Sequence, residues 1–292
     1  MKATVKINGW NWVFIIPIAF SIYSGFSTAS ASVQLVSSRN PFFAAPAGGN
    51  GDSGLSIISP NGRFVLFASA ANNLTLTNNN NSVLPRHLNV FLRDRTNDTP
   101  ALVSVNLAGT GGGNGDSFPT GISTNGQFAL FESSASDLVA NDTNNVSDIF
   151  VRDLVNGTTT LVSVSTNGAS GNGVSRGSVM TPDGRYVAFV SSVSNLVAGD
   201  NNGIDDVFVR DLQAGTTTLV SVGATASFPA NGSVVSTSES PDISADCHYV
   251  AFYSSATNLV PGVSTVGEVY VRDLSGGRLC SRARMRGACF RL

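Results

Sequence analysis

Four copies of a short alternating strand, each ending in Arg-Asp, recur along this chain: VFLRD from Val90, IFVRD from Ile149, VFVRD from Val207 and VYVRD from Val269. Their starts lie 59, 58 and 62 residues apart. A sequence that repeats itself at such a period folds as an array of similar units, each leaning on the next. The repeat constrains architecture strongly and activity weakly.

Each copy is wider than its Arg-Asp strand. It opens on a turn and a strand: SPNGRFVLF from Ser59, STNGQFALF from Ser123, TPDGRYVAF from Thr181 and SADCHYVAF from Ser244. Asn-Gly and Asp-Gly supply the positive φ that a tight hairpin requires. A polar loop follows, then the Arg-Asp strand, a short turn, and a Thr-rich strand ending LVSV at Leu102, Leu161 and Leu219. With the Pro/Ser-led segment before each turn, every unit holds about four short strands, which is the composition of a β-propeller blade. One blade cannot bury both of its apolar faces, so stacking must cover Val187, Phe189, Phe208, Val209 and their counterparts.

The expected fold is therefore all-β, a propeller of about four four-stranded blades over residues 32–281, at 55–105, 118–164, 178–222 and 240–281. Four is the low end of propeller sizes, so the ring is either closed by four blades or open and truncated. The degenerate strand VQLVSS from Val33 either pairs into the last blade or is the remnant of a preceding one. After Gly277 the pattern breaks into RLCSRARMRGACFRL. Residues 282–292 then read as an atypical Arg/Cys tail, real or produced by a shifted reading frame.

The segments SPNGRFVLF and TPDGRYVAF, with the paired VFVRDL strands, resemble the WD40-like PD40 repeats of TolB-type β-propellers over roughly residues 33–281. The resemblance implies a propeller in a bacterial envelope and names no activity, because propellers host binding, scaffolding and catalysis alike. Only four repeats are visible against the six usual in that family, and no segment corresponds to TolB's separate N-terminal domain. Little of TolB's own role is expected to carry over.

Residues 1–31 read as a secretory signal: Lys2 and Lys6, an apolar run from Trp10 to Phe26, and the small-x-small pattern Ala29-Ser30-Ala31. Pro17, Ser21, Ser24 and Gly25 interrupt that run, which is short for a membrane span. The expected location is periplasmic or secreted, with no stable membrane span after cleavage. Charged residues make up 12% of the chain and the net charge is −2. That composition argues against nucleic acid, whose phosphates need a basic face. Three cysteines are too few for a disulfide framework. Cys280 and Cys289 could close a small loop, leaving Cys247 over.

Candidate chemistry concentrates in two loops, Asp142-Thr143-Asn144-Asn145-Val146-Ser147-Asp148 and Asp200-Asn201-Asn202-Gly203-Ile204-Asp205-Asp206. Asp142, Asn144, Asp148, Asp200, Asn202 and Asp206 place hard oxygens at alternate positions, which suits calcium. Asx-turns at a loop tip explain the same residues without a metal. Asp94, Asp153, Asp211 and Asp273, beside Arg93, Arg152, Arg210 and Arg272, are expected to bond their turns, with the arginines pairing locally. The pair Cys247-His248 reads as a drifted turn, and no nucleophile–base arrangement stands out, so no catalytic residue is expected. The functional expectation is an exported, non-enzymatic binding or scaffold propeller with an envelope or extracellular protein partner, oligomeric if the ring is open. Its binding mouth would be built from loops 69–89, 132–148, 190–206 and 253–268. The alternatives are a calcium-stabilised surface or adhesion propeller and a propeller enzyme, a hydrolase or lyase.

Overall fold

The structure is a computed structural model and describes residues 4–7, 10–13, 36–37, 48–75, 86–225, 237–261, 263, 267–281 and 290–291. Two units result. The first, Met1–Gln34, contains an antiparallel hairpin of β1 (Thr4–Ile7) and β2 (Trp10–Val13). The cleavage pattern at Ala29–Ala31, the strand VQLVSS apart from two residues, and most of the Arg-rich tail lie outside the described residues. Among the described residues no helix is long and apolar enough to cross a membrane.

The second unit, Leu35–Leu292, is all-β. Its strands are β3 (Ser53–Ile58), β4 (Phe64–Ser69), β5 (Asn89–Asp94) and β6 (Thr99–Leu102) in blade one, and β7 (Ser117–Ile122), β8 (Phe128–Ser133), β9 (Asp148–Asp153) and β10 (Thr158–Leu161) in blade two. Blade three holds β11 (Ser175–Met180), β12 (Tyr186–Ser191), β13 (Asp206–Asp211) and β14 (Thr216–Leu219). Blade four holds β15 (Ser238–Ile243), β16 (Tyr249–Ser254), β17 (Glu268–Asp273) and β18 (Arg278–Ser281), with β19 (Phe290–Arg291) added at its outer edge. Within each blade the strands pair antiparallel in chain order, as in propeller blades.

Registers repeat from blade to blade. In every blade two aromatic rings face each other across the two central strands: Phe67–Phe91, Phe131–Phe150, Phe189–Phe208 and Phe252–Tyr270, with centroids 5.8, 5.6, 5.7 and 5.8 Å apart. Successive residues of a strand point to opposite faces, so neighbouring positions serve different interfaces. Leu66 and Leu92 of blade one pack against Ala129, Phe131 and Phe150 of blade two. Leu130 and Val151 of blade two pack against Val187, Phe189 and Phe208 of blade three. Ala188 and Val209 then meet Val250, Phe252 and Tyr270 of blade four. Each blade thus offers forward an aliphatic face led by one aromatic residue, and receives its neighbour on a face centred on the stacked aromatic pair.

Inner strands β3, β7, β11 and β15 run next to one another along the array. Each slips register midway against its partner, between Gly54 and Ile57, Pro119 and Gly121, Arg176 and Val179, and Glu239 and Asp242. A bulge at the same place in every blade bends the inner strand and lets Pro119 sit there without breaking a ladder. No comparable contact joins blade four to blade one among the described residues, and the ring is not closed.

The turn that opens each β4-type strand also locks two blades together. Gly62, Gly126 and Gly184 take φ of 70°, 74° and 80°. A Cβ on Gly126 would lie 2.4 Å from the Phe64 ring of blade one, and one on Gly184 would lie 2.4 Å from the Phe128 ring of blade two. The turn backbone therefore rests directly on the previous blade's aromatic ring. In blade four the position is Cys247, which keeps a φ of 58° and packs in the same cluster as Tyr186.

Candidate functional site: two buried aspartate loops

In blades one to three the third strand starts with a polar residue that the LVSV serine, just after the fourth strand, reaches. Ser104 Oγ donates to Asn89 Oδ1 at 2.9 Å, Ser163 Oγ to Asp148 at 2.5 Å and Ser221 Oγ to Asp206 at 2.5 Å. The same hydroxyls accept the N–H of Val90, Ile149 and Val207. Sequence reasoning gave these serines no role. Their signal was a constant spacing of 15 residues from the polar strand start in three blades.

In blades two and three a second residue engages the buried strand-start carboxylate. Asn144 Nδ2 donates to Asp148 Oδ2 at 2.6 Å and to the Gly171 carbonyl at 2.9 Å. Asn202 Nδ2 does the same to Asp206 Oδ2 at 2.6 Å and the Ala224 carbonyl at 3.1 Å. Their Oδ1 atoms accept the N–H of Val146 and Ile204, closing Asx-turns. The fourth loop residue, Asn145 in one and Gly203 in the other, takes a positive φ. Two different sequences thus make one loop.

Asp142 and Asp200 begin these loops, and both are buried, at 7% and 8% exposure. Both oxygens of Asp142 lack a hydrogen-bond partner. Burial raises its pKa, outweighing the lowering pull of the Asn144 N–H and the Ser170 hydroxyl beside it. Burial likewise raises Asp200. Asp148 is fully buried and is pushed up to about 6 by desolvation, against its bonds to Ser163 and Asn144 and with a further push from Asp142. Desolvation holds Asp206 at about 6 as well, with Asp200 and Asp205 adding repulsion. The structure therefore brings Asp142, Asn144 and Asp148 together, and Asp200, Asn202 and Asp206 together. The two sets belong to different blades and do not act on one another.

The other singled-out residues have structural duties. Asp94, Asp153, Asp211 and Asp273 accept turn amides, as from Thr96, Val155, Gln213 and Ser275, each at 2.9 Å. Asp94 and Asp211 also take bidentate bonds from Arg63 and Arg185 of the opening turn, which hold both carboxyls down at about 2. The arginines before them point to the opposite face. Arg152 and Arg210 donate to Thr159 and Thr217, while buried Arg93 pairs with Asp98. Arg272 departs from this local pattern and donates to the Val220 and Val222 carbonyls of blade three. Cys247 is free, and burial pushes its thiol up to about 11, so it carries no thiolate at neutral pH. The His248 ring turns to Asp246 at 3.2 Å. Cys280 is disulfide-bonded. A cleft of about 620 Å³ runs past Leu107, Asn141, Arg152, Thr159 and Arg210, and its described lining has no carboxylate, His or Cys.

No protein-family model matches the chain, and no curated protein matches it. Among solved structures, it is similar to TolB from Acinetobacter baumannii at 14% identity and a TM-score of 0.41, over 80% of this chain and 43% of that one. Its structural neighbours are TolB-type β-propellers. A putative TolB from Agrobacterium tumefaciens shares 19% identity at a TM-score of 0.45, over 81% of this chain and 69% of that one. A chain from a structural study of two prolyl endopeptidases aligns at 11% identity and a TM-score of 0.46, over 79% of this chain and 29% of that one. The chain thus spans less than half of the first of these proteins and less than a third of the last. Neighbours of this kind include enzymes as well as TolB.

Proposed function

We propose that this chain is an exported, non-enzymatic docking module that binds another protein in the envelope or outside the cell. One observation carries the reading: the forward face of blade four is open. In blade one the aromatic residue that begins this face, Phe64, is 8% exposed beneath the next blade's turn, and Val90 is fully buried. Their counterparts Tyr249 and Val269 are 50% and 39% exposed. Ala251, Tyr253 and Val271 continue the same face and are half-buried. Apolar and aromatic side chains on a flat preformed sheet are what protein interfaces use as anchors. The repeat-wide polar residues are meanwhile occupied inside the blades, which favours binding over turnover. The leader-like sequence at 1–31 supports export.

The reading is tested by placing a photo-crosslinking amino acid at Tyr249 and, as a control, at Val155, which is 74% exposed on a turn of blade two. Irradiation in the native host should give discrete protein adducts from position 249 and none of those bands from 155. Equal labelling from both positions, or none from 249, would refute docking through this face.

A further inference from the structure

We propose that the Asp142 loop of blade two is a calcium site that neutralises buried carboxylates. This inference stands independently of the docking face. Two aspartates are buried together in this loop, and no Lys, Arg or His side chain acts on Asp142 or Asp148. In blade two the second observation is decisive: both Asp142 oxygens are out of water and accept no hydrogen bond. Buried polar atoms are nearly always partnered, and an orphan usually marks an unseen water or ion. A lone buried carboxylate is strongly destabilising unless something compensates its charge.

The donor set suits a hard divalent cation. Asp142 offers two free oxygens, and each Asp148 oxygen, after accepting one hydrogen bond, keeps a further lone pair. Backbone carbonyls and enclosed water would complete the roughly six to eight oxygens that calcium takes, in a geometry it does not fix tightly. No group of three or more His, Cys, Asp or Glu side chains converges among the described residues, so the carboxylates of the site number two, and zinc is disfavoured because the loop holds no His or Cys. Ser163, which grips Asp148, holds that carboxylate in place, so the cation would tie the loop start to the third strand. Blades one and four lack the device. Asn89 replaces the buried aspartate in blade one, and a buried Val263 lies where the Asp200 loop begins in blade four.

Titration calorimetry of the purified, chelator-stripped chain with calcium chloride alone should give one equivalent of binding per chain, with a rise in Tm at saturation. Asp142→Asn should weaken that binding at least tenfold. Because a neutral amide relieves the buried charge, the variant should melt in chelator no lower than the wild type. No calcium heat and no calcium-dependent Tm in the wild-type chain would overturn the proposal whether or not the variant folds. So would undiminished calcium binding in the Asp142→Asn variant.

Discussion

Replacing Gly126 by Ala tests how the blades are held together. Gly62 and Gly126 sit at the same position of the same Asn-Gly turn, with φ of 70° and 74°, so an alanine meets the same backbone penalty at both. That penalty is about 1–2 kcal/mol. The surroundings differ. At Gly62 the nearest atom to an added Cβ is the Arg95 guanidinium at 3.9 Å, whereas at Gly126 the Phe64 ring of the previous blade stands at 2.4 Å. Phe64 is itself buried between that turn and the Arg63 guanidinium, 4.7 Å from its ring centre, and has little room to retreat. Forcing a methyl into such a contact costs about 1–3 kcal/mol more. Gly62→Ala should therefore lose about 1–2 kcal/mol and Gly126→Ala about 2–5 kcal/mol. At roughly 2–4 °C per kcal/mol for a domain of this size, the two melting curves should separate clearly by circular dichroism. Trimming the ring with Phe64→Ala should remove the excess cost of Gly126→Ala while leaving Gly62→Ala unchanged, a coupling that a double-mutant cycle measures. Equal losses at both glycines would refute the claim that the turn of one blade bears on the ring of the last.

In chelator, stability should peak in mildly acidic solution. Asp148 and Asp206 hold their protons up to about 6 through burial, so their contribution is full below the ordinary carboxylate value and fades as pH rises through about 6. Asp94 and Asp211, held at about 2 by Arg63 and Arg185, contribute above the ordinary value and lose that contribution as pH falls toward 2. Tm against pH should peak between these limits, and Asp148→Asn/Asp206→Asn should flatten the neutral side; a maximum at neutral pH in the wild type would contradict this. Phe189→Ala removes a fully buried ring stacked on Phe208 and should cost about 3–5 kcal/mol in urea titration, against less than about 0.5 kcal/mol for exposed Val155→Ala. For export, the intact mass of protein recovered outside the cytoplasm should begin just after Ala31, and recovery of the full-length chain alone would count against a cleaved leader.

The repeats made the blade fold legible, because alternating apolar residues and Asn-Gly or Asp-Gly turns act locally and recur four times. Long-range bonds were harder to read. Asp94 and Arg93 are adjacent in sequence, yet Asp94 pairs with Arg63 from the hairpin partner and Arg93 with Asp98, since neighbours on a strand face apart. Arg272 looked like a copy of Arg210, but its use of blade-three carbonyls depends on how blade four docks. The aspartate loops were visible as oxygen-rich segments. That Asp142 is stranded inside was not legible, nor was the grip on Asp148, which comes from Ser163, fifteen residues away beyond the next strand. The open face of blade four was also hidden, because YVAF and VYVRD read like their buried counterparts.

The two ends of the array are unlike. The central strands of blade one, β4 and β5, are buried at every position along both faces, whereas β16 and β17 of blade four leave one face wet. Joining copies head to tail requires that the surface exposed at one end fit a surface exposed at the other, and such heterologous contacts grow into fibres unless a rotation closes them. Here the receiving aromatic face is already covered at the front of the molecule, so the sticky end finds no matching socket on a sister chain. Copies that met through blade four would form a two-fold pair, open face against open face, which stops at two. A chain with an apolar sheet face at one end of its array gains from that asymmetry a protection against polymerisation.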